Sequence, residues 1–301
     1  MYIIQQLMNG ICQGSIYALM AIGYALIFGV VGLVTFTYGE VIMLGSFSAF
    51  YYFIIFGDNL LFALICGFIS AAVVGILVHK VCYERFLNAP RYISLICTIG
   101  MSMFLKNLAI IVFGSTMKGL PRFFEDKNIV FMEKVVNGNI TRVSMTYLQL
   151  MVLCTVVVLA ISLSLFLNKT KMGMRLRAVS QDRKAAALVG INVKRTTLLG
   201  NCIGCGLGGV AGILLGLYYN SVIPTMGGVA GLKAFSSVVI GGLSNITGAA
   251  LGGLSIGIIE NMGIAFIPNG SGYRDVFAFA FLVIVLSIMP EGLFAKRGNK
   301  V

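Results

Sequence analysis

Three charged side chains stand at or inside stretches that otherwise carry none: Glu40 in VTFTYGEVIML, Lys233 in AGLKAFSSVV and Glu260 in LSIGIIENM. An ionised group in so apolar a setting is expensive, and where it occurs it commonly marks a solute or ion pathway or a gate. Glu40 is the first charge in the chain, and no Lys or Arg precedes Lys80. Its plainer reading is a cytoplasmic helix start, where a carboxylate complements the helix dipole; the other is a pathway residue. Lys233 and Glu260 read equally as boundary residues or as pathway residues. Lys106, in MSMFLKNLAI, either snorkels or pairs.

Covalent chemistry finds little support. There is no G-x-x-x-x-G-K-[ST], no G-x-S-x-G, no H-E-x-x-H and no carboxylate pair in a catalytic setting. The chain is therefore not expected to hydrolyse nucleotide or to act as an enzyme. Cys202 and Cys205 have the C-x-x-C spacing of redox and zinc sites. They lie in a Gly-rich apolar run without a second Cys pair or a His, so they read as small packing residues, and no metal site is expected. Seven scattered Cys do not make a disulfide framework. The lone His79 reads as a marker of a membrane–water boundary.

The elements that position these residues follow from composition. The chain has 301 residues, 58% hydrophobic and 11% charged, with a net charge of +12. Residues 1–39, 60–78, 147–167, 198–223 and 234–259 contain no charge at all, and about 20 apolar residues suffice to span a bilayer core. This composition describes an all-α, polytopic membrane protein forming one domain over residues 1–301. About eight spans are expected: 5–28, 36–56, 60–79, 93–113, 147–167, 197–220, 234–266 and 274–290. The segment 234–266 is long and interrupted by Ser244-Asn245-Ile246-Thr247-Gly248, so it should be broken or re-entrant. MYIIQQLMNG lacks a basic region, so the first span is expected to serve as its own insertion signal. Two apolar runs that follow Glu40 and Lys233 weakly suggest related halves.

Basic loops set the topology. Residues 169–195, KTKMGMRLRAVSQDRKAAALVGINVKR, hold eight basic side chains against Asp182, a local charge of +7, and should be cytoplasmic. So should His79–Arg91 and the tail, with Lys296, Arg297 and Lys300 against Glu291. The loop 115–146 is nearly balanced, five basic residues against three acids, and belongs outside; if the first two spans are simple, so does the N-terminus.

Within 169–195, Ser180 is a suitable N-cap, Asp182 suits the first helical turn, and Gly190 suits the stop. A two-turn helix is expected, with Ala185, Leu188 and Val189 on one face. It reads as a surface helix on the membrane or as a peg for a cytoplasmic partner's groove. Gly200, Gly204, Gly208, Gly212 and Gly216 recur every fourth residue, a bare helical face for close packing or for sliding.

Four stretches carry a resemblance. GMRLRAVSQDRKAAALVGINVKR resembles the cytoplasmic coupling loop of bacterial ABC-importer permeases. GSIYALMAIGYALIFGVVGLVTFTYGEVIMLGSF, AGLKAFSSVVIGGLSNITGAALGGLSIGIIE and FLVIVLSIMPEGLF are similar to the LivH-like branched-chain amino acid permeases. The resemblance implies a multi-pass protein of the bacterial cytoplasmic (inner) membrane that imports leucine, isoleucine and valine, or urea, amides and other small solutes, by alternating access. It also implies a second, non-identical permease, two cytoplasmic ATPases that bind ATP and Mg, and an extracytoplasmic amino-acid-binding protein, with no nucleic acid. It places ATPase coupling on Gly173, Arg177, Ala178, Asp182, Ala186, Ala187 and Gly190. Lys106 stands where that family would have a neutral polar residue. The alternative classes are an ATP-independent secondary transporter and a membrane-embedded enzyme.

Overall fold

The computed structural model describes residues 2–57, 59–86, 90–121, 128–136, 139–243, 245–266, 270–289 and 292–294. Long apolar runs become helices because hydrocarbon offers the backbone no hydrogen-bonding partner, so each segment must satisfy itself. Eleven α-helices are described: α1 Tyr2–Val31, α2 Tyr38–Phe56, α3 Leu60–Val78, α4 Arg91–Phe113, α5 Tyr147–Lys169, α6 Lys171–Gln181, α7 Arg183–Leu188, α8 Val193–Tyr219, α9 Met226–Gly241, α10 Ile246–Phe266 and α11 Arg274–Ile288. Among the described residues, seven of these, α1–α5, α8 and α10, are long and apolar enough to cross a membrane, while α9 is a shorter apolar helix.

The helical reading holds, with one addition. The loop 115–146 carries β-structure: β2 (Asn128–Val136) and β3 (Asn139–Thr146) form an antiparallel hairpin with an irregularity between Val130 and Met132. The two-residue β1 (Lys118–Gly119) pairs with β4 (Ser221–Val222), just after α8. Thr146 and the Gln149 side chain form a reciprocal capping box that starts α5 as the hairpin ends.

The expected break in 234–266 is present and lies at Gly242–Asn245, between α9 and α10. Asn245 holds it: its Oδ1 accepts from the Gly248 N–H and its Nδ2 donates to the Phe294 carbonyl. Ser244 and the tail residues Glu291, Lys296, Arg297 and Lys300 lie outside the described residues.

α1 is the central helix, buried along most of its length. Its first turns lie with the hairpin, where the Gln5 amide exchanges two 2.9 Å hydrogen bonds with the Ser144 backbone. At the other end, Val30 accepts a 2.9 Å hydrogen bond from Arg183 of the basic loop. The N-terminus and the hairpin therefore share one side and the 169–195 loop the other, the relative arrangement expected from charge.

The core is built by close backbone approaches. A Cβ on Gly14 would stand 2.8 Å from the Leu254 carbonyl of α10, and one on Gly204 would stand 2.7 Å from the Gly23 carbonyl of α1. Such contacts suit a bilayer, where helices gain by packing rather than by expelling water.

Candidate functional site

The basic loop folds into two helices rather than one. Thr170 starts α6, its Oγ1 accepting from the Gly173 N–H at 3.0 Å, and Gly173 is itself pressed against Phe166 and Leu167 of α5. Ala178 ends the helix by accepting from the Asp182 N–H. Arg177 donates to the Asn168 amide oxygen at 3.2 Å.

Asp182, and not Ser180, caps the following helix. Its Oδ1 accepts from the N–H groups of Lys184 and Ala185 at 2.8 and 3.1 Å, while the Ser180 hydroxyl donates to the Arg177 carbonyl. The Asp182 backbone is extended, as a cap must be, and Ser180 lies inside α6. Gly190 stops α7 with φ +81°, as expected.

The expected buried face is also corrected. Ala186 is the residue that packs inward, at 3% exposure, whereas Leu188 and Val189 are 89% and 76% exposed. Ala185 and Ala187 are exposed as well. α7 therefore anchors itself through Ala186 and presents two aliphatic side chains outward among basic neighbours.

Lys233 and Glu260 are joined inside the protein. Lys233 Nζ lies 2.7 Å from Glu260 Oε1 and 2.8 Å from Asp275 Oδ1. Lys233 is 4% exposed and Glu260 fully buried. Several polar groups close round the pair. Lys233 donates to the Tyr17 hydroxyl at 3.1 Å, Tyr17 donates to Glu260 Oε2 at 3.0 Å, and Gln13 Nε2 donates to the same oxygen at 2.9 Å. Asn261 donates to Gln13 Oε1 at 2.9 Å, and Arg274 donates to the Tyr219 hydroxyl at 2.7 Å. Five helices (α1, α8, α9, α10 and α11) thus meet at one network. Buried charges persist only when paired and hydrogen-bonded in this way.

A cavity of about 460 Å³ opens beside the network. Its polar lining is Tyr17, Tyr219, Ser221, Lys233, Arg274 and Asp275, and its apolar lining includes Leu215, Ile223, Met226 and Val229.

Glu40 stands apart. It is at a helix start, as the plainer reading required, but that start is buried within the bundle rather than at the cytoplasmic surface. Tyr38 donates to the Met20 carbonyl at 2.9 Å, and Tyr24 accepts from the Thr35 N–H at 3.0 Å. Met20 is about 16 Å from the coupling-loop end of α1 at 1.5 Å per residue. Residues 32–37 therefore turn back into the protein before α2 begins. Glu40, 2% exposed, accepts a long 3.4 Å hydrogen bond from Ser102 of α4 and interacts electrostatically with Lys106, one turn further on. Lys106 thus bears on a carboxylate. The other Glu40 oxygen faces Gly227 at the start of α9.

The glycine ridge of α8 is a packing surface for several neighbours, beginning with Leu176 of α6 against Gly200. Gly200 and Gly204 meet α1 at Val30 and Ile27, Gly208 meets the Tyr38 ring, Gly212 meets Ile42 and Ser46 of α2, and Gly216 meets Leu120 and Val222. Cys205 packs against Gly75 of α3, in keeping with its reading as a small packing residue. His79 sits near the coupling-loop end of α3 but is buried, its ring edge-on to Tyr83.

Gln13, Tyr17, Tyr219, Arg274 and Asp275 were not anticipated. Gln13 alone carried a local signal, as an amide in the middle of a charge-free run.

The family described as branched-chain amino acid transport system / permease component matches residues 6–286. The chain is 36% identical to the high-affinity branched-chain amino acid transport system permease protein LivH of Escherichia coli, over 98% of this chain and 96% of that one. It is 36% identical to BraD of Pseudomonas aeruginosa, over 97% and 96%, and 27% identical to a probable LivH of Methanocaldococcus jannaschii, over 97% and 93%. No solved structure matches it. The chain is a multi-pass membrane protein and belongs to the branched-chain amino acid transport permease family.

Proposed function

We propose that this chain is one permease subunit of an ATP-binding-cassette importer of the bacterial inner membrane, and that it carries leucine, isoleucine and valine inward by alternating access. The observation that carries this reading is the end-to-end similarity to LivH and BraD, covering nearly all of both chains. The geometry of 169–195 supports it. α7 is pinned by Ala186, capped by Asp182, and turns Leu188 and Val189 outward, as a helix must to seat in a partner's groove.

On this reading the partners are a second, non-identical permease, two cytoplasmic ATPases that bind ATP and Mg, and an extracytoplasmic amino-acid-binding protein. Gly173, Arg177, Ala178, Asp182, Ala186, Ala187 and Gly190 form the coupling element, with the buried Gly173 and Ala186 holding it to the bundle and Arg177, Asp182, Ala187 and Gly190 exposed to the partner. Closure of the ATPases pushes on α7, and a ligand-loaded binding protein delivers the substrate from the opposite side. The chain itself performs no bond chemistry, since two conformations of different stability suffice for transport.

The test is a mild-detergent pull-down of the tagged chain from its native membrane, with mass spectrometry of the companions and titration of the associated binding protein with leucine, isoleucine and valine. Stoichiometric recovery of an ATPase and saturable binding of these amino acids is the expected result. Recovery without any ATPase, or a binding protein that ignores aliphatic amino acids, overturns the reading.

A further inference from the structure

We infer that the 460 Å³ cavity beside Lys233 is a way-station for the zwitterion itself, in which the α-carboxylate of an aliphatic amino acid takes Asp275's place on Lys233 while its α-ammonium is received by Asp275. This deepens the importer reading and rests on it. It assigns the headgroup and the side chain of the substrate to particular parts of the cavity lining.

The argument begins with unequal partners. Both carboxylates hold the same ammonium at nearly the same distance, 2.7 Å for Glu260 and 2.8 Å for Asp275. Glu260 is sealed in the protein and fixed by Gln13 and Tyr17 as well. The Asp275 side chain is 50% exposed and lies in the cavity wall. Glu260 is thus the permanent counter-ion and Asp275 the exchangeable one.

Charge balance supports the exchange. The wall and its backing carry two cations, Lys233 and Arg274, and two anions, Glu260 and Asp275, so the empty site is neutral, and a zwitterion leaves it neutral. Every charge keeps a partner through the swap, which avoids the large penalty for a buried unpaired ion. An anion would displace Asp275 and leave it unpaired, and a cation would find Lys233 already competing for both carboxylates. Arg274 supplies a further donor: its Nε is buried without a hydrogen-bond partner among the described residues, while its terminal nitrogen is held by Tyr219.

The apolar part of the lining supplies the side-chain preference. Leu215, Ile223, Met226 and Val229 offer only aliphatic and thioether surface, and the volume lies in the usual range for a small-ligand pocket. Because existing ion pairs must be given up, net affinity stays low, as release to the far side requires.

The experiment uses the intact importer in nanodiscs, without the binding protein, so that the binding protein's own selectivity does not enter. Direct binding of radiolabelled leucine is competed with unlabelled leucine, leucinamide (no carboxylate) and 4-methylpentanoate (no ammonium). Leucine should compete about tenfold or more better than either analogue, the scale of one lost charged hydrogen bond. Lys233→Gln should lose at least as much. Because that variant strands Glu260, the neutral pair Lys233→Gln with Glu260→Gln is run beside it and should melt like the parent yet fail to bind leucine. Asp275→Asn should weaken leucine selectively, bringing 4-methylpentanoate level with it.

Leucinamide competing as well as leucine, or leucine binding within twofold of the parent by the neutral double variant, overturns the inference. Binding-protein-dependent leucine uptake by the parent importer, measured in parallel, separates this from failure of the importer reading. Uptake with normal binding by the variants removes only the way-station; no uptake by the parent removes the reading beneath it.

Discussion

Adding one methyl group at successive positions of the α8 ridge should produce effects that differ in sign. At Gly212 a Cβ would come within 2.9 Å of both the Ile42 carbonyl carbon and Ser46 Oγ, and still closer to the Ile42 oxygen. Ordinary contact begins near 3.4 Å, and the obstacle is the backbone of α2, which cannot rotate away. The helices must separate, and overpacking of this kind costs about 1–3 kcal/mol. At Gly216 the nearest atoms are Leu120 Cδ1 at 3.0 Å and Val222 Cγ2 at 3.2 Å, both ends of side chains that can shift by tenths of an ångström. There the gain of about 0.5–1 kcal/mol for Ala over Gly in a helix is retained. Gly100 on α4, with nothing within 4 Å, is the unobstructed control. The expected order of melting temperature in detergent, read by size-exclusion fluorescence, is Gly100→Ala and Gly216→Ala at or just above the parent, and Gly212→Ala below it by on the order of 5 °C. If Gly212→Ala melts together with Gly216→Ala, the ridge is loosely packed and this reasoning fails.

Three other outcomes follow from the same contacts. Ala186→Glu places a carboxylate at a 3% exposed position, and Asp182→Lys removes the α7 cap, worth about 1 kcal/mol; both should insert normally yet lose ATP-driven uptake, assayed in vesicles at equal protein level. Lys233→Met leaves Glu260 buried and unpaired and should destabilise the protein by about 3–5 kcal/mol, whereas Lys233→Met with Glu260→Gln should recover most of that loss in detergent melting. Arg183→Ala removes the 2.9 Å hydrogen bond to Val30; ATP hydrolysis by the assembled importer should continue while leucine transported per ATP falls severalfold, as a coupled ATPase and uptake assay would record.

What could be read from the chain divides by the range of the interaction. Long charge-free runs decide where helices lie, because the bilayer requirement is local to each segment, and the interruption at Asn245 was visible for the same reason. The stop at Gly190 is written in one residue with φ +81°. The cap is ambiguous by two residues because Ser180 and Asp182 both suit the role, and only the continuation of α6 to Gln181 excludes Ser180. Glu40 was correctly a helix start, but hydropathy carries length rather than depth, so nothing local shows that residues 32–37 double back to Tyr24. The charged network was half visible. Lys233 and Glu260 stand out as charges, whereas Tyr17 and Gln13 become polar partners only when a helix more than 240 residues away delivers Glu260.

That long-range delivery also shows how a push at the basic loop reaches the cavity. Arg183 grips the last turn of α1 at Val30, and Tyr17 and Gln13 of the same helix hold Glu260. Thirteen residues separate Val30 from Tyr17, about 20 Å of continuous helix. α1 is too rigid over that length to absorb a displacement, and it is locked to α10 through Gly14 against Leu254 and through Gly257, which lies against Gly14. A movement of the loop therefore carries α1 and α10 together, taking Glu260 with them. Lys233 and Asp275 belong to other helices, α9 and α11, and α9 is the short one, bounded by Gly242 at φ +101°. α9 is itself held to α10, Gly252 lying against Ser237 and Gly241 against Gly248, so Lys233 moves with Glu260, and Asp275 of α11 is the partner across the seam. Shifting that seam by an ångström changes which carboxylate Lys233 prefers, and a site built on a shared ammonium is one whose affinity such a small motion can alter.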